Sequence, residues 1–327
     1  MLDLDRKLAS IRAGRYTPDD FIIADAKDGD IGFGRAAPVP DRETGGFTPR
    51  ATHLDAIRTM TRSGLVDIML MSASTAERLS NEGLFKDSTV TPAIRLNDTT
   101  DIWSARGGRY REEPSRHHRT ARIDQACRHV DLGLYSITFS NQRDIDAENA
   151  EAYSAFRADA STHGMRHFLE VFNPAFDIRF TGDADMGAFI NDNIVRTLAG
   201  VIEADQPKFL KLQYNGPRAM EELASYDPGR LIVGILGGAA GTTRDTFELL
   251  SAAERYGARV ALFGRKIHLA ESPLAIVRLM REVVARRVSP EEAVRAYHGA
   301  LAEQWIKPLR ALADDLEITE AVLKPGG

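Results

Sequence analysis

Short apolar, β-branched runs alternate with longer helical patterns along nearly the whole chain. The runs are FIIAD (21–25), VDIMLM (66–71), TPAIRL (91–96), LYSITF (134–139), HFLEVF (167–172), FLKLQY (209–214), LIVGIL (231–236) and VALFG (260–264), eight in all. VDIMLM and LIVGIL are almost continuously apolar, as expected of strands covered on both faces. The intervening segments are mostly too long for hairpins and carry helical patterns, so the spacing predicts parallel strands joined by right-handed crossovers. Gly64, Gly133, Gly164 and Gly257, each just ahead of a run, read as helix stops, because glycine accepts the left-handed conformation that closes a helix. Ser74 with Glu77 reads as a capping box, and Ser289, Pro290 and Glu292 read as N-cap, first and third helical positions.

Eight β/α units in about 250 residues match the size of a TIM (β/α)8 barrel. The expected organisation is a single barrel domain over 1–327, with an N-terminal helix in 1–20 and a C-terminal helical extension over 289–327. That extension would serve an interface or cap the bottom of the barrel. A doubly wound open sheet is the alternative, but a dinucleotide-binding version needs G-x-G-x-x-G after its first strand, and AKDGDIGFGRAAP has the wrong spacing with no helical pattern behind it. The stretch 103–122, rich in Arg, Gly and His, reads as a long loop after the third strand, either solvated surface or a lid.

Composition narrows the function classes. With 327 residues, 43% hydrophobic and 27% charged, the chain can bury a sizeable core, and its net charge of −5 gives no electrostatic reason to expect nucleic acid as a partner. The single cysteine, Cys127, excludes an internal disulfide framework and fits a reducing compartment. No apolar run approaches the roughly 20 residues of a membrane span, and LDLDRKLASIR after Met1 lacks the apolar segment of a signal peptide. A cytoplasmic location without membrane attachment is therefore expected. The eight histidines show neither H-x-H nor H-E-x-x-H spacing, and the adjacent His117 and His118 read as solvated, so no metal and no cofactor are expected.

In a TIM barrel the chemistry sits at the C-terminal ends of the strands. Phe209, Lys211 and Gln213 share one face of the sixth run, and Lys208, Leu210 and Leu212 the other. A mid-strand lysine flanked by leucines is either a nucleophile or a lysine that snorkels to water or pairs with an acid. Removed from water, a lysine sheds its proton more readily, and the free amine can attack a carbonyl to form a Schiff base. Lys208 reads as exposed. Such chemistry needs a group to move protons. Glu170 lies between Phe168 and Phe172 on one face of the fifth run, and Asp25 closes the first with the parity of Phe21 and Ile23. A carboxylate in an apolar strand is paired or functional, so each serves in catalysis or in a structural salt bridge. Lys27 and Asp28, in the following loop, are weaker candidates. The seventh and eighth runs end in ILGGAAGTT and FGRKI, where Gly237, Gly238 and Gly264 could free backbone amides for an anion and Arg265 could add a bidentate partner. The bland reading of each is a tight turn. Arg95 and Asn97 at the third run and Gln142 after the fourth have positions suited to substrate contact, although an ion pair across the barrel explains Arg95 equally well.

The stretch from Phe209 to Val284, with FLKLQYNG, IVGILGGAAGTTRDTFELL, YGARVALFGRKI and ESPLAIVRLMREVV, resembles the class I aldolases of the deoxyribose-phosphate and tagatose-bisphosphate aldolase superfamily, which includes archaeal-type fructose-bisphosphate aldolases. FIIADAKDG, VTPAIRLN and HGMRHFLEVF extend the resemblance more faintly upstream. The resemblance implies a TIM barrel whose sixth-strand lysine, here Lys211, forms the Schiff base. It places the first-strand aspartate on Asp25 and the phosphate-binding turns on Gly237, Gly238, Gly264 and Arg265. The archaeal branch uses a fifth-strand tyrosine acid, whose position is Phe172 here; the tagatose-type branch uses a glutamate, matched by Glu170. The lysine which that branch carries on its fourth strand has no counterpart in LYSITFSNQ, where Ser140 to Gln142 stand in its place. The implied function is that of a metal-independent lyase, a class I aldolase acting on a phosphorylated or otherwise anionic keto-sugar, in a homo-oligomer. A thiolase-like acyl transferase and a non-catalytic sugar-phosphate-binding barrel are the alternatives.

Overall fold

The computed structural model describes residues 2–37, 45–97, 105–238 and 241–324. Eight parallel strands close into a barrel in sequence order: β1 (Ile22–Ala26), β2 (Ile68–Met71), β3 (Thr91–Arg95), β4 (Leu132–Thr138), β5 (Arg166–Phe172), β6 (Leu210–Leu212), β7 (Gly234–Leu236) and β8 (Val260–Phe263). Each expected run overlaps one of them, with β1, β4 and β5 reaching one or two residues beyond the run. Around them lie α1 (Asp3–Arg12), α2 (Asp30–Phe33), α3 (Arg50–Ser63), α4 (Ala73–Asn81), α5 (Ile123–Ala126), α6 (Arg143–Thr162), α7 (Met186–Ala199), α8 (Pro217–Tyr226), α9 (Thr243–Arg255), α10 (Arg265–His268), α11 (Pro273–Val284), α12 (Pro290–Glu303) and α13 (Leu312–Asp315). The chain is a TIM (β/α)8 barrel. Among the described residues no helix is long and apolar enough to cross a membrane.

Alternation along the strands divides the apolar side chains into two bodies. Ile22, Ala24, Ile68, Leu70, Leu134, Phe168, Phe209 and Leu262 fill the barrel together with Leu4, Leu8 and Ile11 of α1. Those α1 positions recur at helical spacing and plug the N-terminal end of the barrel. Lys7, on the same helix, is anchored there by Asp67 at 2.9 Å and the Phe21 carbonyl at 2.9 Å. The other strand face, including Phe21, Ile23, Met69, Val171 and Leu212, packs outward against the helices.

The local signals fared unevenly. The Ser289 capping box forms as expected, and Gly64 closes α3 at φ 64°. Gly133 is not a helix stop. It lies inside β4, where an added Cβ would come within 2.1 Å of Leu96, so it is small for close packing. The cap expected at Ser74 falls instead on Ser72, ahead of Ala73. The described part of the third loop, 105–122, is tied to α6 by Arg116–Glu148 and Arg119–Asp159 ion pairs at 2.5 and 2.8 Å. Trp103 lies outside the described residues.

The C-terminal extension is not a cap on the bottom of the barrel, a place that α1 occupies. Its end crosses the opposite rim, where α9 and α10 begin. Asp315 accepts from the Thr243 N–H at 2.8 Å, Asp245 accepts from the Thr319 N–H at 2.8 Å, and Glu320 pairs with Lys266 at 2.8 Å. This clamp holds the loops that follow β7 and β8.

At Gly234 the strands β6, β7 and β8 approach too closely for any side chain: a Cβ there would lie 2.5 Å from the Leu210 carbonyl oxygen and 2.8 Å from Val260 Cβ. Replacing Gly234 with Ala should destabilise the barrel by about 1–3 kcal/mol, seen as a lower urea midpoint at unchanged slope. An unmoved midpoint would show that the contact is relaxed in solution.

Candidate active site

Four polar side chains continue the inward face of neighbouring strands at the C-terminal end of the barrel: Arg95 on β3, Ser136 on β4, Glu170 on β5 and Lys211 on β6. Register sets their heights, with Ser136 opposite Glu170 and Glu170 opposite Lys211 across the parallel ladders. Lys211 Nζ consequently lies 2.5 Å from Glu170 Oε1. Glu170 Oε2 accepts from Ser136 Oγ at 2.8 Å and faces Arg95 Nη2 at 3.1 Å. Arg95 donates from Nη1 to Ser136 Oγ at 2.9 Å and from Nε to Asp28 Oδ2 at 2.5 Å. Asn97 extends the ladder where β3 ends: its Nδ2 donates to the Ser136 carbonyl at 2.8 Å, and its Oδ1 accepts from the Ser136 N–H at 2.5 Å.

The four charged members are between 1% and 5% exposed. A buried charge is tolerated when it is paired and hydrogen-bonded, and here two cations alternate with two carboxylates in the order Lys211, Glu170, Arg95, Asp28. Burial pushes the Asp28 carboxyl upward, but Arg95 and Lys211 outweigh it and hold the group below the ordinary aspartate range.

A cavity opens over this network, lined in part by Lys211, Glu170, Arg95, Asp28 and Phe172. Its opposite rim carries Gly237, Gly238, Gly264 and Arg265. Gly238 has φ +62°, which favours glycine, and a Cβ on Gly237 would lie 3.0 Å from the Phe263 ring, a tight approach that favours glycine there too. The first turn of α9, which follows, is committed elsewhere. The N–H groups of Thr242 and Thr243 donate to Asp245 and Asp315, and that of Asp245 to Thr242 Oγ1. The rim therefore offers an anion Arg265 and the backbone of the two glycine turns rather than this helix terminus.

The structure brings Lys211, Glu170, Arg95 and the glycine turns to one cavity. It does not bring Asp25 or Gln142 there. Asp25 has the parity of Phe21 and Ile23, and that parity faces the helices; its carboxylate is fully buried beside Lys27 Nζ at 3.1 Å. Burial raises the Asp25 carboxyl although Lys27 opposes the shift. Gln142 is the exposed N-cap residue of α6, away from the cavity lining. Asp28, the weaker candidate, takes the inward place expected of Asp25. Ser136 was missed although its inward parity, between Leu134 and Thr138, was available in the sequence. Lys27, His53 and His268 also line the cavity, and nothing in the strand pattern marks the two histidines. Among the described residues, no three His, Cys, Asp or Glu side chains are grouped to hold a metal ion.

The fold and site thus define a TIM barrel with a buried lysine–carboxylate pair at its C-terminal end. No family model matches the chain, and no curated protein matches its sequence. Solved structures do match in fold. An archaeal fructose 1,6-bisphosphate aldolase is 16% identical, over 86% of this chain and 99% of its own, with a TM-score of 0.62. An archaeal fructose-1,6-bisphosphate aldolase whose catalytic Lys is covalently bound to the carbinolamine intermediate of the substrate is 17% identical over 86% and 99%, TM-score 0.61. Cgl0159 from Corynebacterium glutamicum is 17% identical over 87% and 94%, TM-score 0.56. At these identities the likeness is one of fold.

Because Asp28 is held ionised below its unfolded range, it contributes stability that is present above about pH 4 and lost as pH falls through the depressed value. Asp28→Asn should therefore melt lower than wild type at pH 7, by about 1–3 kcal/mol, with the gap narrowing as pH falls below about 4. Melting curves between pH 7 and pH 3 check this; a gap that stays constant over the range would contradict it.

Proposed function

We propose that this chain is a class I aldolase that cleaves or forms a carbon–carbon bond in a phosphorylated or otherwise anionic keto-sugar. The observation that carries the reading is Lys211 Nζ inside the barrel, 2.5 Å from Glu170 Oε1, on the floor of an open cavity. The fold likeness to aldolases with a Schiff-base mechanism supports it.

In this reading Glu170 takes a proton from Lys211, leaving a free amine that attacks the ketone carbon. Glu170 returns the proton to the hydroxyl of the resulting carbinolamine, the C–O bond breaks to release water, and the nitrogen lone pair forms the C=N bond of an iminium. The iminium accepts the electron pair of the breaking carbon–carbon bond, while a carboxylate removes the proton from the hydroxyl that becomes the aldehyde. Glu170 is the acid and base at each transfer. Ser136 and Arg95 fix its second oxygen, so its first stays aimed at Lys211. Phe172 lines the cavity where a tyrosine acid stands in the archaeal branch, which leaves Glu170 to carry the protons. Arg265 with the turns at Gly237, Gly238 and Gly264 would hold the anionic end, and that remote binding positions the carbonyl over Lys211.

A screen of keto-sugar phosphates and sulfonates with borohydride, read by intact mass, should give a reduced adduct on Lys211 that is absent from Lys211→Ala. Glu170→Gln should lower kcat by about 10²–10⁴-fold. Turnover surviving in Lys211→Ala would overturn the reading, and turnover that depends on coenzyme A would assign acyl transfer instead.

A further inference from the structure

Lys27, His53 and His268 line the catalytic cavity, and the same side chains line a second, adjoining cavity between the barrel and the helices α3 and α11. His53, on α3, is 6% exposed. Its Nε2 lies 3.2 Å from the backbone carbonyl oxygen of Lys27. A carbonyl can only accept, so Nε2 carries the proton, and in the neutral ring Nδ1 is then a bare acceptor. Burial keeps the ring neutral, with Lys27 adding to the effect and Asp30 opposing it. His53 Nδ1 is buried with no hydrogen-bond partner among the described residues.

The neighbouring groups restrict what could supply the missing donor. Asp25 lines the second cavity, and the Lys27 ammonium is its ion-pair partner at 3.1 Å. Glu271 lines it as well. An acceptor nitrogen on a ring that feels the Asp30 and Asp25 carboxylates disfavours a phosphate or other anion and favours a group that donates, such as a sugar hydroxyl. The anionic end of a ketose has its own place at the Arg265 rim.

We propose that the second cavity is the subsite for the hydroxylated part of the keto-sugar, and that His53 is its specificity-determining residue, accepting a hydrogen bond at Nδ1 from one substrate hydroxyl. This rests on the aldolase reading and deepens it: the substrate is a ketose whose hydroxylated carbons lie over the His53 wall while its carbonyl meets Lys211. Leaving a buried acceptor unpaired costs more than a lost exposed hydrogen bond, so a sugar lacking that hydroxyl is selected against.

The test uses half-saturation of borohydride trapping at Lys211. The probes are D-fructose 1,6-bisphosphate, or the ketose phosphate that the screen above ranks first, and analogues of it that each lack one non-reacting hydroxyl. In the wild type one analogue should bind about tenfold or more weakly than the parent. His53→Gln keeps a donor for the Lys27 carbonyl but loses the Nδ1 acceptor, and should weaken the parent by a similar factor while weakening that analogue no further. His53→Asn keeps a polar group near the Nδ1 position and should recover part of the loss. Melting curves show whether each variant is folded, and the wild-type analogue series stands without either variant. If no analogue is weakened in the wild type, or if His53→Gln weakens parent and analogues alike or not at all, the subsite is wrong and the aldolase reading stands. A wild-type chain that traps no ketose on Lys211 overturns both.

Discussion

The 2.5 Å contact between Lys211 Nζ and Glu170 Oε1 exists because β5 and β6 pair in a register that sets these two residues side by side. Neither charge would be stable there alone, since an isolated ion inside a barrel loses far more hydration than packing returns. The consequence spreads along the rim. Glu170 uses its second oxygen for Ser136 and Arg95, and Arg95 turns to Asp28, so charges alternate in sign from the sixth strand back to the first loop. A lysine placed by strand register, rather than by a loop, inherits the rigidity of the barrel.

The rest of the chain keeps that rim in shape. At the closed end, α1 fills the barrel with Leu4, Leu8 and Ile11, leaving only the other end open. At the open end the C-terminal segment binds the starts of α9 and α10 through Asp315, Thr319 and Glu320. Asp315 of that segment and the helix's own Asp245 occupy the amides of Thr243 and Thr242, which leaves Arg265 and the glycine turns as the uncommitted groups of that rim. The two rims of the cavity are thus chemically distinct, one carrying the paired charges and one the turns.

Much of this was legible in the sequence. Eight apolar runs gave the strands because a strand buried on both faces must be apolar nearly throughout. Lys211 and Glu170 stood out because each interrupts such a run on the parity of aromatic residues that fill the barrel, Phe209 and Phe168. The same reasoning misled at Asp25. Parity says only which residues share a face, and in the first strand the aromatic Phe21 faces the helices, so Asp25 faces them too. Asp28 could not be placed because a loop has no periodicity to read. Gly133 resembled a helix stop by position, but its reason is the closeness of Leu96, a tertiary fact. Gln142 followed the fourth strand as expected, yet as an exposed helix cap its side chain is directed by the turn and not by the barrel. The His53 wall depends on how a helix lies against a strand end, information that no local pattern holds.

In the proposed reaction Lys211 becomes covalently bound to the ketone carbon of the substrate, which requires the ketone oxygen to leave as water. Turnover, or mere binding, of a ketose phosphate labelled with ¹⁸O at its carbonyl should then release the label to solvent faster than the uncatalysed exchange, and Lys211→Ala should reduce the release to the uncatalysed rate. Retention of the label through cleavage, at full catalytic rate, would show that the carbonyl is never replaced by the lysine nitrogen and would contradict the account.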